Sequence, residues 1–243
     1  MPKCSWIFLL IFYAKIAVSQ VCLKDIDLQK IPQQEIRKLL ALQQKENILC
    51  INDIEASCMV NTNMQHFYKQ TRTYFLGDGI ENVWQNYSSD NPSKIYNSQK
   101  FSFGLMLCKN RNENKILYSN DSFEKLEKGQ IIYLKLRFLK GLYKMAVAFE
   151  ILDVDSSNKT IEFSYVKGGN KTKGKQKIQF IDYKNGKTKI VHTSFYKSHF
   201  VMRDRLLYPF FHAKVTNEFH SNLKKIISFK HKHKKSQLLA TKQ

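Results

Sequence analysis

The chain has 243 residues, 43% of them apolar, and 40 Lys plus Arg against 20 Asp plus Glu give it a net charge of +20. That apolar content supports a real core and excludes wholesale disorder, and the length suits one large domain with a small appendage. Such a surface attracts anionic partners, either a phospholipid surface or an acidic polymer. The lysines are spread along the chain rather than gathered, which favours a basic surface with no binding role, and a nucleic-acid partner is not expected.

Residues 1–19 read as a secretory signal. Lys3 supplies a positive start, and Trp6 to Tyr13 form an apolar run too short to span a bilayer. Ala17-Val18-Ser19 then offers the small residues of a cleavage site, after Ser19. The expected location is therefore outside the cytoplasm, periplasmic or secreted. Cys4 leaves with the signal, and Cys22, Cys50, Cys58 and Cys108 remain. In an oxidising compartment they allow three disulfide pairings; four buried thiols are the alternative. No Cys-x-x-Cys pair exists, which argues against a zinc site.

Residues 20–63 read as a helical extension. Pro32 followed by Gln33, Gln34 and Glu35 marks a helix start, and Ile36, Leu39, Leu40 and Leu42 give it an apolar stripe. A second short helical segment is expected over Ile51 to Met59. The extension is either packed on the main domain or a loosely ordered leader.

The main domain is expected over residues 64–228. A strand covers Thr71 to Leu76, and Gly77-Asp78-Gly79 breaks it. Ile80, Val83, Trp84 and Tyr87 recur at helical spacing until Asp90-Asn91-Pro92-Ser93. Phe101 to Cys108 reads as a buried strand, Arg111 to Asn114 as a turn and Lys115 to Tyr118 as a return strand. In Ile132, Leu134, Leu136 and Phe138 alternate residues are apolar, with Lys135 and Arg137 opposite, which is the signature of a half-buried strand. Val147, Phe149 and Ile151 continue the alternation. Ile161, Phe163 and Tyr165 follow a turn at Asp155 to Asn158, and Gly168-Gly169-Asn170 opens a loop. Ile178 and Phe180 pair with Val191, Thr193 and Phe195 across Asn185-Gly186, a strong hairpin signal.

A closing helix follows. Pro209 suits its first turn, after a short turn over Arg203 to Leu207. Phe211, Val215, Phe219, Leu223 and Ile226 form its apolar stripe, with Lys214, Asn217, Asn222 and Lys225 opposite. Residues 229–243, which include Lys230-His231-Lys232-His233-Lys234-Lys235, read as a basic disordered tail.

The fold class is thus α+β: a curved antiparallel sheet wrapped around a long C-terminal helix. This order resembles the helix-grip fold of the START-related (SRPBCC) superfamily, which includes birch pollen allergens and polyketide cyclases. Three stretches carry the resemblance: Ala146 to Glu150 with Ile161 to Tyr165, Gly174-Lys175-Gln176, and Arg203 to His212. They are similar to a bacterial branch of unknown function, and the likeness spans Met64 to Ser228. It implies a hydrophobic ligand held between sheet and helix. A minority of the superfamily are enzymes, and it shares no catalytic set, so no catalytic residue and no cofactor carry over.

The residues themselves offer two candidate sites. His192, Ser194, Tyr196, His199, Arg203, Asp204, Tyr208 and His212 cluster where the last strand meets the helix. Histidine near tyrosine and carboxylate suits acid–base work, so His192, Tyr208 and His212 are the catalytic candidates. A structural network closing the mouth of the sheet is the alternative. His212 and His220 stand eight apart near Glu218, too far apart to share one metal ion. No Gly-x-Ser-x-Gly, phosphate loop or dinucleotide fingerprint occurs. Phe149, Phe163, Tyr165, Phe180, Phe195 and Phe219 are expected to converge between sheet and helix, as a solid core or as the lining of a ligand pocket. The expected function is binding of a hydrophobic or amphipathic small molecule, including lipid. An enzyme of cyclase or hydrolase type is one alternative, and a filled envelope interaction module is the other.

Overall fold

The structure, a computed structural model, describes residues 21–109, 115–169 and 172–240. The secretory signal, the Arg111–Asn114 turn and Asn170 lie outside the described residues. Helix α1 (Gln34–Lys45) is followed by strand β1 (Tyr68–Leu76) and helices α2 (Ile80–Ser89) and α3 (Pro92–Ile95). Strands β2 (Phe101–Cys108), β3 (Lys115–Tyr118), β4 (Gln130–Phe138) and β5 (Tyr143–Asp155) come next. Then come β6 (Thr160–Tyr165), β7 (Lys173–Tyr183) and β8 (Lys187–Lys197). A π-helical turn over Arg203–Leu207 leads into helix α4 (Tyr208–Ala240).

The strands form one antiparallel sheet in the order β1-β8-β7-β6-β5-β4-β2-β3. Consecutive strands from β4 to β8 pair as hairpins, and β1 closes on β8 with Tyr68 opposite Tyr196. Helices α2 and α3 carry the chain from β1 to β2, across the sheet. Asn91 accepts from Ser93 N and Pro92 takes the first helical position, so the punctuation that ends α2 also starts α3. This is a helix-grip fold, with α4 lying against the inner face of the sheet.

The sheet is buried on both faces along β2, β4 and β5. On the outer face, Leu23, Ile31, Ile36, Leu39, Leu40, Ile51 and Ile54 of the N-terminal segment pack on Leu105, Leu107, Ile131, Tyr133 and Ala148. This explains the continuous Ile131-Ile132-Tyr133-Leu134 run, since a strand covered on both sides needs apolar residues in both phases. The seam also has specific polar ties. Tyr133 Oη donates to Gln43 Oε1 at 2.8 Å, Gln33 Nε2 to Phe103 O at 2.7 Å, and Lys135 pairs with Glu35 at 2.9 Å. Gly104 lies where β2 bulges, and any side chain there would collide with Ile36 Cδ1.

Several expectations change. Of the segment Ile51 to Met59, only Ile51–Asp53 is helical, as a 3-10 turn. The rest is not helical, because Ala56 bridges Val166 and Ser57 N donates to Tyr165 O at 2.7 Å. Cys22 is bonded to Cys50, while Cys58 and Cys108 are thiols. The stripe of α4 continues through Ile227 rather than Ile226: Ile227 is 4% exposed and Ile226 is half-buried. The helix also runs on through the basic segment to Ala240. Acidic and amide partners beneath it hold that segment: Lys230 Nζ reaches both Asp90 carboxylate oxygens and Asn86 Oδ1, and His231 reaches Asp78.

Candidate functional site

Sheet curvature and the girth of α4 leave an unfilled space between them, a cavity of about 440 Å³. Its apolar wall comes from alternate residues of neighbouring strands, including Leu134, Val147, Phe149 and Phe163, and from Phe211, Val215 and Phe219 on α4. One end of the sheet is filled instead. There Phe180 packs edge-on against Trp84 at 5.5 Å and Tyr87 at 4.6 Å, within the core closed by α2.

The expected ligand-contact set therefore divides. Phe149, Phe163, Tyr165 and Phe219 line the cavity. Phe180 belongs to the filled core. Phe195 is on the outer face, where Lys69 Nζ lies over its ring at 5.8 Å. β8 runs in the opposite phase to the expected one: Val191, Thr193 and Phe195 face out, and the buried phase is Ile190, His192, Ser194 and Tyr196. The strand turns polar side chains inward because they form the cavity's polar wall.

That wall is a continuous hydrogen-bond network. Gln176 Oε1 is the common acceptor for His192 Nε2 at 2.8 Å, His212 Nε2 at 3.1 Å and Ser194 Oγ at 3.3 Å. With Nε2–H of His192 donating, its Nδ1 accepts from His220 Nε2 at 3.0 Å. His220 Nδ1 in turn accepts from Tyr87 Oη at 2.5 Å. The proton directions thus run one way from Tyr87 to Gln176 with every imidazole neutral. Tyr74 stacks on His220 with ring centroids 4.0 Å apart and donates to Thr216 and Asn217. Gln176 Nε2 donates to Tyr165 Oη, which is hydrogen-bonded to Tyr208 Oη.

Burial sets the protonation of the group. It pushes His220 down to about 3. Burial together with Arg72 does the same to His212, down to about 3. Burial and the two neighbouring imidazoles drive His192 well below its ordinary value. Tyr165 is pushed up to about 12 by burial, and Tyr208 is held well above its ordinary value by burial and its contact with Tyr165. The wall is neutral near pH 7 and offers hydrogen bonds rather than a poised acid and base.

One position in the wall is mismatched. His212 Nδ1 faces Gln70 Oε1 at 3.1 Å while its Nε2 faces Gln176 Oε1, so one N–H meets two carbonyl oxygens. The Gln70 amide is fixed by its donation to Pro209 O at 3.1 Å.

The three catalytic candidates, His192, Tyr208 and His212, all border the cavity. His199 is exposed. Arg203 is at the mouth, donating to Thr172 Oγ1 at 2.6 Å with its Nε 3.6 Å from Asp204. Asp204 is buried and accepts from Ser198 N and Oγ, which anchors the π-helical turn. Glu218 pairs with Lys100 at 3.5 Å. Among the described residues no His, Cys, Asp or Glu group could hold a metal ion, and no helix is long and apolar enough to cross a membrane. Sequence reading missed Gln70, Tyr74, Tyr87 and Thr216. Their only signal was a polar group at an inward strand or helix position.

No family model and no curated protein matches the sequence. Solved structures do resemble it. Norcoclaurine synthase from Thalictrum flavum is 12% identical, covers 68% of this chain and 96% of its own, and has a TM-score of 0.49. A START superfamily protein from Mycobacterium smegmatis is 8% identical over 66% of this chain and 97% of its own, with a TM-score of 0.47. A major latex-like protein from Panax ginseng is 11% identical over 65% and 96%, with a TM-score of 0.49. At such identities the likeness concerns the course of the fold. The helix-grip assignment rests on the strand order and the placement of α4 in this chain.

Proposed function

We propose that the protein binds a small, mainly apolar molecule with one polar end, held between the sheet and α4. The cavity carries this reading. At roughly 24 cal/mol per Å³, 440 Å³ left unfilled forgoes on the order of 10 kcal/mol of packing. That is an upper bound, because the mouth is open, yet it rivals the ~5–15 kcal/mol net stability of a whole domain. A void of that size disfavours the filled interaction module. At ~30 Å³ per water, the space suits a ligand of about fifteen non-hydrogen atoms.

The polar wall sets the ligand's orientation. Its apolar part fits among Phe149, Phe163 and Phe219, and its polar end meets Gln176, His212, Tyr208 and Arg203. A hydroxyl or N–H donor on the ligand would resolve the mismatch at His212. Lipids with such a head are the finer form of the reading. Residues 1–19 acting as an export signal, with the Cys22–Cys50 bond suited to an oxidising compartment, complete it.

The cavity-facing positions of His192, Tyr208 and His212 are the observation in favour of an enzyme. The binding reading is stronger because the histidines are held neutral, and both nitrogens of His192 and of His220 are already hydrogen-bonded within the protein. Organic extraction of the purified protein followed by mass spectrometry tests the proposal. An apolar small molecule recovered near one per chain supports it. Nothing recovered, from a protein that also fails to take up apolar probes, rejects it.

A further inference from the structure

Large apolar side chains are exposed unevenly over this molecule. Among the described residues, nine of the seventeen are on two short segments: Leu139, Leu142 and Tyr143, then Phe200 to Met202 with Leu206, Leu207 and Phe210. Leu142 is 89% exposed and Met202 71%. Both segments border the cavity mouth, since Leu139, Tyr143, Arg203 and Leu207 line it. Phe138 joins them, with its ring 6.1 Å from Tyr143 and 4.9 Å from Phe211. The two segments are thus the lips of one opening.

Two other hairpin turns among the described residues are built differently. The β7–β8 turn is Asn185-Gly186, both residues at positive φ, and the β5–β6 turn is Asp155 to Asn158. Those are ordinary polar turns. At the β4–β5 tip, Leu139 and Lys140 adopt φ of 51° and 57°, a conformation a leucine rarely takes. The tip therefore presents Leu139 and Leu142 to solvent despite an unfavourable backbone.

Charge follows the same outline. Residues 137–144 and 197–214 include exposed Lys140, Lys144, Lys197, Arg205 and Lys214. Their one acidic residue, Asp204, is 1% exposed and engaged with Ser198 and Arg203. Protruding apolar side chains ringed by exposed bases without exposed acids match an anionic lipid surface, which takes apolar groups below its headgroups and bases among them.

We infer that the mouth docks onto a bilayer bearing anionic headgroups, with Leu139, Leu142, Met202 and Leu206 inserted and the surrounding bases against phosphate. Docked this way, the cavity opens into the hydrocarbon, so an apolar ligand passes between membrane and protein without crossing water.

The test measures partition of the full chain onto phosphatidylcholine vesicles with and without about one-third phosphatidylglycerol. The double variant Leu142→Asn/Met202→Asn removes apolar reach without changing charge, at positions too exposed to disturb folding. It is expected to bind the anionic vesicles at least about tenfold more weakly than the wild type. Leu28→Asn/Leu49→Asn, exposed sites in the layer on the outer face of the sheet, should bind like the wild type. Wild-type binding should weaken with salt. Equal binding by the mouth variant, or equal binding to vesicles without phosphatidylglycerol, overturns the inference. So does self-association that the mouth variant abolishes, because a second copy would then cover the lips. The measurement is made on vesicles without added ligand, so its outcome is separate from whether the cavity binds one.

Discussion

Acidification should unfold this protein from within. His192, His212 and His220 are buried in one network whose donor directions require neutral rings. Each has a folded pKa below the ordinary 6.5. The unfolded chain therefore binds more protons below pH 6.5, and stability that is complete above 6.5 is lost as pH falls toward the folded values. The slope approaches 1.36 kcal/mol per proton per pH unit, so at pH 5 each histidine costs about 2 kcal/mol and the three together about 6 kcal/mol. That figure is insensitive to the depth of the shifts, because pH 5 is well above the folded values near 3. Urea unfolding followed by circular dichroism at pH 7, 6 and 5 measures it. His220→Gln should flatten the slope by about a third. A midpoint that stays constant from pH 7 to pH 5 would refute the assignment of three buried neutral histidines.

Other outcomes follow from the same contacts. Gln176→Leu strands the His192 Nε2–H and removes the donor to Tyr165, and should lower stability by about 2–4 kcal/mol in urea titrations. Replacing Cys22 and Cys50 by Ala opens a link of sequence separation 28 and should cost about 3–4 kcal/mol, with the N-terminal layer gaining amide exchange first. Phe195→Ala, on the outer face, should leave uptake of apolar probes unchanged, whereas Phe163→Ala should alter it.

Much of the fold is written in the periodicity. The hairpin at Asn185-Gly186, the alternation in β4 and β5, and the four-residue recurrence in α4 are local signals, and each element forms where its own pattern places it. The departures have separate physical causes. Assigning apolar residues to the inside works where the inside is a packed core, and it fails on β8, whose inner face is a polar cavity wall. There Phe195 faces out and its neighbour His192 faces in. Phe180 faces inward as expected, but whether it meets a filled or an open region depends on Trp84 and Tyr87 arriving from α2. The helix beyond Phe229 is illegible in the sequence because its support comes from Asp90 and Asp78, 140 and 153 residues earlier in the chain. The neutral relay through Tyr87, His220, His192 and Gln176 spans four elements, and no spacing in any one of them announces it.

An open, apolar cavity lies between sheet and helix. Fluorescence titration with 1-anilinonaphthalene-8-sulfonate at pH 7, on the wild type and on Val215→Trp, tests it most directly. Val215 lines the cavity from α4, and an indole there occupies space the probe needs while leaving the mouth intact. The expected result is one saturable site in the wild type that the variant loses or weakens at least about tenfold. Equal affinity and stoichiometry in the two proteins would contradict it.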